Sequence, residues 1–361
     1  MVCFNHGNLH HCELLDVNEI ITMEAWITKF FNKNDHKLVG GLFIVVVLFL
    51  GWDLASNQWF SDNNGSVSVK DSLPQEKLWA APSDSELPAG EDGELIKYGR
   101  ELVAHTAEYF GPNGSVAHYT NGLNCQNCHL NAGTQPWGNN YGSVASTYPK
   151  FRGRSGSIEN IYKRVSDCFE RSLNGKAPDS ASREMQAMMK YINWLGKNVP
   201  KKEKAPGSGI MKVAFLNRPI DPVGGKLVYD AKCAVCHQAD GQGVLNDKGN
   251  AYTYPPLWGK LSYNEGAGLF RMSNFAGYVK ANMPLGATHN NPQLTDEEAW
   301  DVAAYVNTQE RPKMDLSKDW PDISKKPFDH PFGPYADKFS EKQHKFGPYA
   351  EIKAYYEALK D

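Results

Sequence analysis

Two short stretches of this 361-residue chain repeat one pattern: Cys125-Gln-Asn-Cys128-His129 and Cys233-Ala-Val-Cys236-His237. In C-x-x-C-H, two sulfurs on one turn meet the two vinyl groups of one porphyrin, and the next histidine reaches its iron, so the pattern marks a c-type haem. A single copy is open to chance or to a metal knuckle. Two copies, each preceded by a helical pattern and followed by an amphipathic helix, predict two covalently bound haems c with iron. Cys125, Cys128 and His129 hold the first, and Cys233, Cys236 and His237 the second. Zinc would need a second ligand pair near each motif, and none is there.

The rest of the chain fits around this pair. The net charge of −3 leaves no basic surplus for nucleic acid. From Leu38 to Trp52 the run "LVGGLFIVVVLFLGW" has no charge, with Lys29, Lys33 and Lys37 before it and Asp53 and Asp62 after. Its length lies between a signal-peptide core and a short membrane span. No clean small-x-small cleavage site follows, which favours an uncleaved anchor with the lysine side in the cytoplasm and the rest in the periplasm. The expected organisation is a cytoplasmic segment over 1–37, with Met23 a second candidate start, an anchor or signal segment over 38–55 and a polar tether over 56–90. Cytochrome c domain 1 follows over 91–197, a Lys/Pro/Gly linker over 198–222, domain 2 over 223–309 and a tail over 310–361. The fold class is mostly α: two cytochrome c-type haem domains in tandem, an N-terminal membrane helix, and an irregular C-terminal wrap over the second domain. The tail repeats "FGPYA" at 332 and 346.

The two units align on their closing helices. In the second, Thr295 and Glu298 form a capping box, and Ala299, Val302, Ala303 and Val306 line one face. In the first, Met185, Met188, Met189 and Ile192 recur at helical spacing and read as a core stripe. Counted back from Tyr305 and from Tyr191, the methionine of "NMPLG", Met283, stands almost where the first unit has a lone cysteine, Cys168. Met283 is the expected sixth ligand of the second haem, with His289 and Met272 as alternatives. For the first haem the candidate is Cys168, the alternative being an inert buried thiol; His105 and His118 lie on the other side of the haem motif. A thiolate ligand lowers the potential and a thioether raises it, so the two haems would be unequal.

Arg152, Arg154, Arg164 and Arg171 gather near Cys168. If residues 157–173 are helical, Arg164, Cys168 and Ser172 share one face. Such a positive pocket expects an anion; haem propionates or solvent are the other takers, most of all for Arg152 and Arg171.

On "NCQNCHL", "YPKFRGRSGSIENIYKRVSDCFERSLNG", "CAVCHQADGQG" and "NMPLG", over about residues 90–350, the chain resembles the dihaem thiosulfate dehydrogenase family, which includes tetrathionate reductases. The resemblance implies a catalytic haem with His129 and Cys168 as axial ligands, and a substrate pocket formed by Arg154, Arg164 and Ser172. The implied reaction converts two thiosulfate to tetrathionate and two electrons, in either direction. For its mechanism we expect Cys168 to be labile on the iron and to form a Cys-S-thiosulfonate that a second thiosulfate resolves. Some relatives carry Lys directly before the methionine and exchange the two ligands; here Asn282 fills that place and Lys280 is the nearest amine. A fixed His/Met second haem is therefore expected, passing electrons to a soluble or membrane-bound cytochrome c. The rival reading is an anchored dihaem electron-transfer subunit of haem-copper oxidases, which calls for methionine at both sixth positions. A Cys-ligated cytochrome of the Sox pathway is a third reading.

Overall fold

The computed structural model describes residues 77–359. The 1–37 segment, the 38–55 hydrophobic run and most of the 56–90 tether lie outside the described residues. Helix α1 (Glu91–Ala104) opens with Glu91, Asp92 and Glu94, carboxylates placed at the positive end of the helix dipole. α2 (Ile161–Asp167) and α3 (Arg183–Leu195) complete the first bundle, each N-capped by a side chain: Asn160 accepts from the Lys163 N–H and Ser182 from the Met185 N–H. The second bundle consists of α4 (Pro222–Lys232), α5 (Met272–Asn282) and α6 (Asp296–Thr308). Asp221 caps α4 and Pro222 sits at its first position, where no N–H is needed. The capping box of α6 is formed as the sequence predicts, with Thr295 N–H on Glu298 at 2.8 Å and Glu298 N–H on Thr295 at 3.1 Å.

Both bundles are locked by one device. α1 crosses α3 at Gly99, where an added Cβ would stand 2.1 Å from the Ala187 carbonyl oxygen and 2.8 Å from Tyr191 Cβ. α4 crosses α6 at Gly225, where a Cβ would stand 1.9 Å from the Asp301 carbonyl oxygen and 3.0 Å from Tyr305 Cβ. Only glycine lets the backbones meet so closely. Around these crossings form two hydrophobic cores, one from Leu102, Phe110, Phe169, Met185, Met188 and Ile192, the other from Tyr229, Met272, Trp300, Val306 and Ile352. Met185 and Met188 are buried, as their spacing predicts. The architecture is two cytochrome c domains, mostly helical with a few two-residue and three-residue strands.

Three segments differ from expectation. Residues 157–173 are not one helix. They comprise the second strand of a hairpin in which β1 (Lys150–Arg152) pairs with β2 (Ser157–Glu159), then α2, then a π-helical turn over Cys168–Ser172. The wide turn closes with the Leu173 N–H on the Cys168 carbonyl at 3.0 Å, which leaves the Glu170 and Arg171 carbonyls to accept from the Asn264 side chain (2.9 Å) and N–H (3.0 Å). The 198–222 stretch is more than a connection: Gly209–Ile210 pairs with Gly138–Asn140, and Ala205 and Ile220 are buried. The tail is irregular only to about residue 340. It ends in α7 (Glu341–Phe346) and α8 (Ala350–Ala358), with Gly347 at φ 72° terminating α7 and Tyr349 and Ile352 fully buried in the second core. Nor does it touch the second domain alone. Pro321 packs on Gly156 and Lys325 on Gly153, both in the β1–β2 turn of the first domain.

Candidate active site

In the first domain, Cys125, His129 and Cys168 line a single cavity of about 790 Å³. Its walls are apolar: Val103, Val144, Phe169, Met188 and Ile192. The His129 Nδ1 lies 2.6 Å from the Asn139 carbonyl oxygen and its ring packs on Tyr141, which fixes the imidazole and leaves Nε2 for iron. Burial pushes His129 down to about 4, so the imidazole is neutral, the form that ligates a metal. Burial also pushes the Cys125 and Cys128 thiols up to about 12, and neither forms a disulfide. Lys150, Arg152, Lys204 and Lys212 stand round the same cavity. Lys150 is pulled down by burial and by Arg152, Arg164 and Lys204, as befits cations gathered for an anionic group such as porphyrin propionates. Apolar walls, an oriented histidine, two free thiols and a cationic rim fit a haem. Among the described residues, no cluster of three or more His, Cys, Asp or Glu fits a bare metal ion.

Cys168 is the first residue of the π turn, one helical turn after Arg164, and the Arg164 Nη1 donates to its Sγ at 3.2 Å. The Cys168 sulfur holds the Arg164 guanidinium above its usual value, outweighing the opposing effect of burial. Arg164 and Cys168 thus share a face as expected, and both line the cavity. Ser172 and Arg154 do not line it. Over Cys168–Ser172 the backbone is a π turn where the sequence predicts a continuous α-helix. Arg154 is nearby but enclosed by other groups: its Nη1 donates to the Gly266 carbonyl, its guanidinium lies 4.6 Å from the Trp320 ring centre, and Asp319 is 3.5 Å away. Burial and then the Arg171 charge pull Arg154 down to about 10, so it remains a cation at neutral pH. Arg171 is forked onto Asp319, 2.8 Å at both nitrogens.

In the second domain the His237 Nδ1 lies 2.8 Å from the Pro255 carbonyl oxygen, the same arrangement as His129. Cys233 and Cys236 are free, and burial raises Cys233 to about 11. Met283 caps the C-terminus of α5 and packs against the second core. Of the alternatives, Met272 is sealed in that core, its sulfur 3.8 Å from the Asn307 amide. In the first domain His105 is turned toward Glu101 and His118 lies on a separate cleft. Lys280 is tied to the Leu294 carbonyl (2.7 Å) and to Asp296 (2.8 Å). Asn282 is buried, donating to the Trp137 and Tyr278 carbonyls and accepting from Gln135 at 2.8 Å. The groups that sequence reasoning missed are Lys150, Lys204 and Lys212, hidden in stretches that read as solvated, and Asp319 and Trp320, far away in the tail.

The fold and the first pocket define a two-domain c-type cytochrome with a cysteine and an arginine at one of its haem sites. Residues 115–200 match the SoxA/TsdA cytochrome c domain family and residues 223–310 the cytochrome c family. Over 241 residues the chain is 38% identical to the thiosulfate dehydrogenase of Psychrobacter arcticus, covering 66% of this chain and 71% of that protein. Over 235 residues it is 39% identical to that of Allochromatium vinosum, covering 64% and 83%. The structure of the thiosulfate dehydrogenase TsdBA from Marichromatium purpuratum, as isolated, is similar with a TM-score of 0.61 and 33% identity, over 66% of this chain and half of that longer one. The chain belongs to the thiosulfate dehydrogenase family, and as a member it is an oxidoreductase carrying two covalently bound c-type haems. The non-catalytic electron carrier is not favoured.

Proposed function

We propose that the Cys168 pocket couples two thiosulfate ions to one tetrathionate with release of two electrons, reversibly. The observation that carries this reading is the Arg164 guanidinium, 3.2 Å from the Cys168 sulfur inside the cavity that also receives His129. Bringing two dianions sulfur to sulfur in a partly dry site costs roughly several kcal/mol unless cations offset it. Arg164 and Arg154 supply those cations, and a guanidinium fork suits sulfonate oxygens as it suits carboxylates. In the first step a bond forms between the Cys168 thiolate sulfur and the sulfane sulfur of thiosulfate, giving a Cys-S-thiosulfonate and two electrons. The sulfane sulfur of a second thiosulfate then attacks the bound one, the Cys168 S–S bond breaks, and its electron pair returns to Cys168 as tetrathionate leaves. The bound haems would supply the one-electron acceptors for this pair of electrons. Arg164 stabilises the thiolate before the first step and after the second; Ser172, at the end of the π turn, is a hydroxyl donor for sulfonate oxygen.

In the second domain His237 and Met283 would hold the haem iron. Because Lys280 already donates to a carbonyl and a carboxylate, it is not free to displace Met283, and the electrons pass on to a soluble or membrane-bound cytochrome c. Domain limits of 91–197 and 223–309 and a linker over 198–222 serve this division of labour. Covalent haem attachment suits the periplasm. Anchoring to the inner membrane rests on the uncharged run within 38–55; among the described residues no helix is long and apolar enough to cross a membrane.

Cys168→Gly tests the chemistry. The variant is expected to keep both haems covalently attached and to lose thiosulfate-dependent turnover by more than about a thousandfold. Turnover within tenfold of the parent would remove Cys168 from the mechanism.

A further inference from the structure

The tail meets the first domain at Arg171 and along the Gly153–Gly156 turn, and Trp320 lies under Arg154. Trp320 has φ 53°, a left-handed conformation that costs energy for a bulky side chain and persists only where its surroundings enforce it. Its N–H donates to the Arg154 carbonyl at 2.7 Å and its indole, only 6% exposed, carries the Arg154 guanidinium at 4.6 Å from the ring centre. His330 wedges the indole from the side, 4.7 Å between ring centres. Next to it, Asp319 is committed elsewhere: both carboxylate oxygens accept from Arg171 at 2.8 Å, whereas Arg154 is 3.5 Å away, beyond ordinary hydrogen-bond length. Arg154 is therefore held by two uncharged groups, the Trp320 indole and the Gly266 carbonyl, and shares the one charge of Asp319 with Arg171, so that the three ionised side chains keep one net positive charge.

We propose that Trp320 is a positioning residue of the anion site: its indole fixes the plane of the Arg154 guanidinium without cancelling its charge, while Arg171 keeps Asp319 from doing so. This rests on the assignment of Arg154 to thiosulfate binding. A guanidinium on a four-residue turn has many rotamers, and restricting them in advance lowers the cost of binding an anion in one geometry. Had a carboxylate of its own done the holding, Arg154 would bring no net charge to a dianion.

The test is steady-state thiosulfate oxidation by the full dihaem enzyme with ferricyanide as acceptor, on Trp320→Leu, Trp320→Phe, Arg154→Ala and the Arg154→Ala/Trp320→Leu double variant. Trp320→Leu removes the aromatic face and should raise KM for thiosulfate by roughly two- to thirtyfold, the range of a cation–π contact, with kcat within about twofold. Trp320→Phe should fall between parent and Trp320→Leu. In the Arg154→Ala background, Trp320→Leu should add nothing, since the two residues act as one unit. If Arg154→Ala raises KM and Trp320→Leu does not, or if their effects multiply, the proposal is overturned while the reading of Arg154 stands. If Arg154→Ala leaves KM unchanged, both fall. Should Trp320→Leu not fold, Trp320→Phe with and without Arg154→Ala decides by the same criterion, and an unchanged KM in Trp320→Phe overturns the proposal.

Discussion

The two haem domains are built alike on the histidine side and differ on the other. His129 and His237 each set Nδ1 against a backbone carbonyl, of Asn139 and of Pro255, and each domain closes by a glycine crossing beneath a tyrosine, Gly99 with Tyr191 and Gly225 with Tyr305. On the opposite side, the second domain offers Met283 at a helix end, with its nearest amine, Lys280, tied off. The first offers Cys168 on a π turn, with a guanidinium on its sulfur and two more within a few ångströms of Asp319. Under the proposed roles, one scaffold is divided between chemistry and conduction: the histidine side is kept and the other side is rebuilt. That rebuilding draws on residues from outside the domain, since Asn264 holds the π turn open and Asp319 and Trp320 organise the arginines.

The comparison can be broken by experiment. The largest effect is expected for Cys168→Met, which gives the first domain the second domain's ligand: turnover should vanish and the first haem's reduction potential should rise in a redox titration, as thioether replaces thiolate. An active variant with an unshifted potential would mean that Cys168 is only a packed thiol. Next, Arg164→Ala should lower kcat/KM for thiosulfate by about a hundredfold, comparable to the loss of one preorganised charge-stabilising donor, with the second haem's spectrum unchanged. Gly99→Ala and Gly225→Ala should each destabilise the fold by about 1–3 kcal/mol in thermal melts, because a methyl group must displace a backbone carbonyl in either crossing; one silent variant would end the equivalence of the two bundles. The smallest effect is expected for Lys280→Ala, with the oxidised and reduced spectra of the second haem unaltered and turnover within about twofold; a ligand change on removing Lys280 would show that the amine reaches the iron after all.

The shared half was the legible half. C-x-x-C-H, the Thr295–Glu298 capping box and the Met185/Met188 stripe are local patterns, and local patterns survive in sequence. The lone cysteine and its arginines were visible too, as residues too reactive or too charged for a core. Their arrangement was not. The π turn at Cys168 depends on donors from Asn264, some ninety residues further on, to its Glu170 and Arg171 carbonyls, a contact that periodicity does not carry, so residues 157–173 read as one helix. The tail hid its role for the same reason. Trp320 and Asp319 sit among prolines and lysines that carry no periodic signal, and their meaning comes only from touching Arg154 and Arg171.

The central claim, that this pocket exchanges electrons between thiosulfate and the haems, is tested most directly by adding thiosulfate to the fully oxidised dihaem protein, following haem absorbance and assaying tetrathionate in the same sample. The account predicts haem reduction with one tetrathionate formed for every two electrons taken up, and no reduction in Cys168→Gly. Oxidised haems that stay silent with thiosulfate, together with reduced haems that tetrathionate does not oxidise, would contradict it and leave a two-haem electron carrier.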